Sequence, residues 1–99
     1  MIASNVDPRK QLLIQFFKRF PNHELQAASN SLLRLLARLD LPMKGKQGGW
    51  AGGIVYAASS IGVGVPGVFN RELEEAFQVS MGTIYKRAWQ IRRLLAAVP

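Results

Sequence analysis

Hydrophobic positions along the chain recur at helical rather than strand spacing. Leu13, Phe16, Phe17 and Phe20 fall three to four residues apart, which predicts a first helix over about 8–20. Asp7-Pro8 in front of it reads as an N-cap followed by proline at the first helical position. Pro21-Asn22 ends that helix, and Asn22 is placed to cap a second over about 23–39. The apolar residues there, Leu25, Ala28, Leu32, Leu35 and Leu39, step by three and four. Two heptads are too few for a coiled coil, so this reads as a bundle helix packed on its neighbours.

Pro42, Gly45 and Gly48, with Lys44 and Lys46 between them, break the pattern. A third helix is predicted over about 49–61. Its aliphatic and aromatic residues are mixed with alanine and glycine nearly all round, which predicts a central, buried position. Ile54, together with Tyr56 or Ala57, is expected in the core. Glycine costs about 1 kcal/mol in a helix interior relative to alanine, so the pair Gly52-Gly53 predicts close helix approach, helped by Ala57 and Ala58. A loop is expected over 62–68. A short fourth helix over about 71–77 would be capped by Asn70, with Glu72, Glu74 and Glu75 favoured by the dipole of its first turns. Ser80 would cap a fifth over about 81–97, with Ile84, Ala88, Ile91 and Leu95 facing inward. No stretch alternates as a strand does. The expected fold class is all-α, five helices in a single domain spanning residues 1–99.

Composition narrows the function. The chain has 99 residues, no cysteine and one histidine, His23. Disulfides and thiolate or multi-histidine metal sites are thereby excluded. Thirteen Lys and Arg against six Asp and Glu give a net charge of +7, which favours a polyanionic partner, nucleic acid before membrane. Residues 1–6 have no basic stretch followed by an apolar core, so no secretory signal is read there. Residues 47–70 carry no charge over 24 positions, but seven glycines and Pro66 interrupt them. They read as a buried helix followed by a loop rather than a membrane span. No membrane partner is expected, and the expected location is intracellular (cytoplasm, nucleoid or nucleus).

Residues 71–91 carry the most information. A short helix presents Leu73, Ala76 and Phe77 inward, Val79 turns inward, and Ser80 opens a second helix in which Ile84 and Ala88 pack back on the first. This is the pattern of a helix-turn-helix over about 70–96. Its exposed side would carry Met81, Gly82, Thr83, Tyr85, Lys86 and Gln90, and the amino end of such a helix enters a major groove. The last twenty residues contain Lys86, Arg87, Arg92 and Arg93 and no acid. Gln78 stands where the turn favours glycine, and a left-handed conformation there costs about 1 kcal/mol. The expected division of labour on DNA has Lys44, Lys46, Lys86, Arg87 and Arg92 or Arg93 holding about four to six phosphates, for a salt slope of about −4 to −5. Met81, Thr83, Tyr85 and Gln90 reach base edges, Ser80 caps the helix, and Gly82 permits close approach.

The run Gly45-Lys46-Gln47-Gly48-Gly49-Trp50-Ala51-Gly52-Gly53-Ile54-Val55-Tyr56-Ala57-Ala58 resembles the third helix of the cyclin-like repeat of transcription factor IIB. That pattern has a glycine and a basic residue, a short loop, and a small-residue helix closing on an aliphatic-Tyr-x-Ala. The charged short helix, Val79-Ser80 and Thr83-Ile84 resemble the same family's helix-turn-helix, so the likeness runs from about Lys44 to Leu95. It implies a cyclin-like domain that binds promoter DNA and, in the family, a TATA-binding protein. The chain differs in having room for one repeat rather than two and no cysteines for a zinc ribbon. Tyr85 stands where an arginine reads DNA, the loop before the third helix is about one residue shorter, and Gly52 and Gly53 replace alanines. A single-repeat relative is the reading these differences favour, and pairing of two copies would restore two-repeat geometry.

Catalysis finds no constellation. His23 has no partner for a metal or a nucleophile, and the glutamates are explained by the helix dipole. Gly62-x-Gly64-x-x-Gly67 follows a helix rather than a strand, and Gly45-Lys46-Gln47 lacks the flanking residues of a phosphate loop. Trp50 reads as core, and Trp89 reads equally as core or as a base-stacking surface. No enzyme and no cofactor are expected. The alternative function is a cyclin-like protein-docking scaffold, self-associating, without sequence-specific DNA binding.

Overall fold

A computed structural model describes residues 7–59 and 64–97. The described residues form five helices: α1 (Pro8–Arg19), α2 (His23–Arg38), α3 (Gln47–Ala58), α4 (Asn70–Phe77) and α5 (Met81–Ala97). There is no strand among the described residues. Helix number, order and type agree with the periodicity. The third helix starts two residues earlier than expected and ends at Ala58 rather than Ile61, because Ser59 is an extended C-cap; part of the following loop and residues 1–6 lie outside the described residues.

The helix starts follow local chemistry. The Asp7 carboxylate accepts from the Arg9 backbone N–H at 2.9 Å and from Arg9 Nε at 2.7 Å. Asn22 Oδ1 accepts from the Leu25 N–H at 3.0 Å. Each satisfies a first-turn donor that has no partner within its helix. For α4 the expected cap is displaced by one residue: Phe69 is the N-cap, and Asn70 is the first helical residue. The Phe69 N–H donates to Glu72 Oε1 at 2.9 Å, so the carboxylate three residues on does the capping and the Asn70 side chain is free for another contact.

α3 lies at the centre, touching α1, α2, α4 and α5, and its largest shared face is with α5. Every residue from Gly48 to Val55 is buried. The glycines explain how α5 and the α4 carboxyl end come so close. A methyl group at Gly52 would meet Ile84 Cγ1 at 3.0 Å and Phe77 Cδ2 at 3.1 Å, and one at Gly53 would meet Arg87 Cβ at 2.6 Å. Alanine at Gly52 would press on the Ile84 and Phe77 side chains, and at Gly53 it would clash with α5 at the Arg87 Cβ and the backbone, so the expected close approach is present. Leu13, Phe16, Phe17, Leu36, Ile54, Val55, Leu73, Phe77, Ile84 and Ile91 complete the core around α3.

Two core expectations need correction. On α2 the buried face is Leu25, Ser29, Leu32, Leu33 and Leu36, whereas Ala28 and Leu39 are exposed. The helix packs against both α1 and α3. Its buried stripe is therefore broader than a single seam and rotated by about one residue from the stepped leucines. On α3, Tyr56 and Ala57 are half-buried rather than buried. They sit in the last turn, where the helix leaves the core and Tyr56 meets Tyr85 edge-on, ring centroids 5.3 Å apart.

No helix among the described residues is long and apolar enough to cross a membrane. α3 spans only 12 residues.

Candidate nucleic-acid interface

α4 turns into α5 through Gln78, Val79 and Ser80. Gln78 takes the left-handed conformation (φ 57°, ψ 40°), the strained turn geometry that its position predicts. Its side-chain Nε2 donates to the Glu75 carbonyl at 2.7 Å, so it satisfies an end-of-helix acceptor that a glycine would leave to solvent. Ile84 is fully buried in this joint, beside Leu73 and Phe77.

Two side chains organise the start of α5. Ser80 Oγ accepts from the Thr83 N–H at 3.3 Å, the cap expected of it. Glu74 Oε2 accepts from the Met81 N–H at 2.8 Å. Glu74 therefore serves the dipole of α5 rather than that of its own helix, and it ties α4 to the next helix. Of its neighbours, Glu72 caps α4, and Glu75 lies 3.7 Å from Arg19 in an exposed pair worth little to stability.

The structure brings a subset of the expected residues together. Lys46, Ser80, Thr83, Lys86 and Arg87 line one surface depression together with Val79. Gly82 is exposed, and a methyl group there would meet nothing nearer than Ser80 Oγ at 3.6 Å, so the amino end of α5 is open to a large partner. Lys44, Lys46 and Lys86 are exposed. Met81 and Thr83 are half-buried, and Gly49 approaches the Thr83 methyl so closely that a Cβ would lie 2.8 Å from it. Tyr85 is exposed, but its hydroxyl accepts from Asn70 Nδ2 at 3.1 Å and its ring rests on Tyr56. Arg93 is exposed on the same helix, about 10 Å beyond Lys86 along the axis. Arg93 is not part of the depression.

Arg87 and Gln90 are engaged within the protein. The Arg87 guanidinium stacks over the Trp50 ring, 4.4 Å from its centroid. It donates to the Lys44 carbonyl at 3.1 Å and to Gln90 Oε1 at 2.9 Å. Trp50 is core, as expected, and its Nε1 donates to the same Lys44 carbonyl at 2.7 Å. Gly45 adopts φ +97°, and a Cβ there would lie 2.7 Å from Arg87 Nη2. That position needs glycine both for its backbone and for the guanidinium beside it. Arg87 thus fixes the loop that carries Lys44 and Lys46 against the side of α5. Nothing in the linear sequence signals this arrangement.

Other residues near the interface make contacts that the sequence does not predict. Asn70 positions Tyr85, and Phe69 is 71 % exposed beside it in the chain. Arg92 donates from Nη2 to the Tyr56 carbonyl at 3.3 Å. Trp89 is 57 % exposed, with the Arg93 guanidinium 4.9 Å from its ring centroid, which resolves its placement in favour of the surface. His23 is exposed at the start of α2. No group of three metal-ligating side chains occurs among the described residues.

No protein-family model matches the chain, and neither a curated protein nor a solved structure matches it.

Proposed function

We propose that this chain is a duplex-DNA-binding domain of the cyclin-like class, a single-repeat relative of transcription factor IIB, with α4 and α5 acting as its helix-turn-helix. The observation that carries the reading is the amino end of α5, where Gly82 is exposed and Lys46 from the loop before α3 and Lys86 from α5 itself line one depression with Ser80 and Thr83. A helix end presented this way, with an exposed glycine in its first turn and cations beside it, suits approach to a major groove and its phosphates. Lys44, Lys46, Lys86 and Arg93 take the phosphate role. Met81, Thr83 and Tyr85 face the bases. Arg87 and Gln90 serve as positioning residues that hold the basic loop at the groove edge. Glu74, the acid nearest this end, is occupied by the Met81 N–H, which limits its repulsion of phosphate.

The test is fluorescence anisotropy with labelled duplexes of unrelated sequence. A Lys46→Glu, Lys86→Glu double variant, folded by circular dichroism, should bind all of them at least about tenfold more weakly at low salt, because phosphate contacts supply the sequence-independent part of affinity. Undiminished binding by that variant would remove the proposed interface.

A further inference from the structure

α5 contains no acidic residue along its whole length, Met81–Ala97. At about 3.6 residues per turn, Tyr85, Lys86, Trp89, Arg92 and Arg93 fall within one arc of roughly 120° on its outer side, away from buried Ile84, Ala88 and Ile91. Two of the most exposed large hydrophobic side chains, Tyr85 at 45 % and Trp89 at 57 %, stand in that arc. A third, Phe69, adjoins it through Asn70, which holds the Tyr85 hydroxyl. Among the described residues no other element covers the Trp89 indole.

The aromatic rings are held rather than free. Tyr85 is fixed by Asn70 and by the Tyr56 edge, and one face of Trp89 is covered by the Arg93 guanidinium. Arg92 reaches the Tyr56 carbonyl, which anchors it at the border of the same face. None of Lys86, Arg92 and Arg93 forms an ion pair among the described residues. The face is therefore a cationic surface set with pre-positioned planar rings.

We propose that the outer face of α5 binds single-stranded nucleic acid, stacking unpaired bases on Tyr85 and Trp89 while Lys86, Arg92 and Arg93 take the phosphates. Charge selects a polyanion, and the rings select one with exposed aromatic faces, which a paired duplex withholds. Tyr85 and Trp89 are one turn apart, about 6 Å along the axis. That exceeds the 3.4 Å rise of a stacked strand, so both rings can be engaged only by bases that have been separated. Base–aromatic stacking of this kind tolerates any sequence. The face shares Tyr85, Lys86 and Arg93 with the duplex reading; Trp89 and Arg92 belong to this inference alone, and Lys46 to the duplex reading alone.

The experiment uses the whole chain, a fluorescein-labelled oligothymidylate of about 12 nucleotides, within the site sizes of single-strand binders, and a mixed-sequence duplex of the same length. Oligothymidylate should quench the exposed indole of Trp89 and leave that of Trp50, only 4 % exposed, unaffected. Trp89→Ala should weaken oligothymidylate binding about tenfold and change duplex binding by less than about twofold. Trp89→Phe should restore most of the loss, because it keeps an aromatic face. Lys46→Glu should weaken the duplex and spare the single strand; a wild-type chain that binds oligothymidylate but no duplex would sink only the preceding proposal. Two results would overturn this one. The first is oligothymidylate binding that Trp89→Ala leaves unchanged. The second is binding of polyglutamate of equal length as tightly as oligothymidylate and with the same Trp89 response, which would assign the face to an acidic protein.

Discussion

The Arg87 guanidinium lies over the Trp50 ring, 4.4 Å from its centroid, and both residues donate to the carbonyl oxygen of Lys44. One acceptor thus joins α3, α5 and the loop between α2 and α3. Trp50 is nearly fully buried and Arg87 is half-buried, so the stack is partly shielded from water, where cation–π attraction is stronger than at an open surface. The loop bearing Lys44 and Lys46 owes its position to this contact.

Removing that contact should loosen the loop and lower stability together. Arg87→Ala is expected to cost about 1–2 kcal/mol, the sum of a partly desolvated cation–π contact and one net hydrogen bond. Arg87→Lys should recover little, because an ammonium can neither stack flat on the indole nor donate in two directions as the planar fork does. Urea unfolding followed by circular dichroism measures both. A midpoint unmoved by Arg87→Ala would show that the stack contributes nothing.

The glycines of α3 should not respond alike to alanine. At Gly48 a Cβ would lie 1.9 Å from the Phe77 carbonyl oxygen, which is backbone and cannot swing away. At Gly49 the nearest atom is the Thr83 methyl at 2.8 Å, the end of a side chain. Alanine gains about 1 kcal/mol of helix propensity at either site. Gly48→Ala should nevertheless lose more than about 3 kcal/mol, because α4 must move and the tight joint is overpacked. Gly49→Ala should fall within about 1.5 kcal/mol of wild type, the range of tolerated core changes. Equal unfolding midpoints for the two variants would contradict the packing of α3 on the α4 carboxyl end.

Asp7 should make the start of α1 sensitive to acid. The Arg9 side chain bonded to its carboxylate is the main cause that holds its pKa below the ordinary 3.8, assisted by the Arg9 backbone N–H and by charge attraction, while partial burial opposes them. A lowered folded-state pKa means that the stabilisation is fully present above about pH 4 and is lost as pH falls through the folded value. Asp7→Ala should cost about 1 kcal/mol at pH 7, as the loss of an N-cap does. The difference between variant and wild type should shrink as pH falls below about 4 through the lowered folded value. A difference that stays constant from pH 7 to pH 2 would mean that the ionised carboxylate does not supply the cap.

How much of this was legible in the sequence depended on whether the deciding contact was local. α3 was readable as central because it is apolar all round and carries paired glycines that only close packing explains. The α4–α5 joint was readable from Leu73, Phe77, Ser80 and Ile84, and the left-handed Gln78 from its place in the turn. The buried face of α2 was not, because Leu25 to Leu39 offer two overlapping leucine stripes, and contact with both α1 and α3 chose between them. Glu74 looked like a dipole residue of α4 because its partner, the Met81 N–H, lies seven residues ahead. Arg87 looked like a free cation because its two acceptors and its stacking partner sit on three different segments. Charge along a helix thus overstates the cations available to a partner, which bears on binding.

The salt dependence of duplex binding should accordingly be shallower than a count of cations suggests. Including Arg87 would give about four to six phosphate contacts and a slope of log affinity on log salt of about −4 to −5. With Arg87 stacked on Trp50 and bonded to Lys44 and Gln90, the exposed cations of the interface are Lys44, Lys46, Lys86 and Arg93, with half-buried Arg92 at the edge. Three to five contacts at roughly 0.9 ions released per phosphate give a slope of about −3 to −4.5. Lys86→Ala should reduce its magnitude by about one and weaken all duplexes alike, since it removes a phosphate contact. Arg87→Ala should behave differently. It removes no phosphate contact of its own but releases the loop that carries two of them, so affinity should fall while the slope changes by less than about one. Tyr85→Ala should alter preference among duplexes and leave the slope intact, as expected of a residue facing bases. Titrations between about 50 and 200 mM salt separate these cases. An Arg87→Ala slope reduced by as much as that of Lys86→Ala would show that Arg87 leaves Trp50 to hold a phosphate directly.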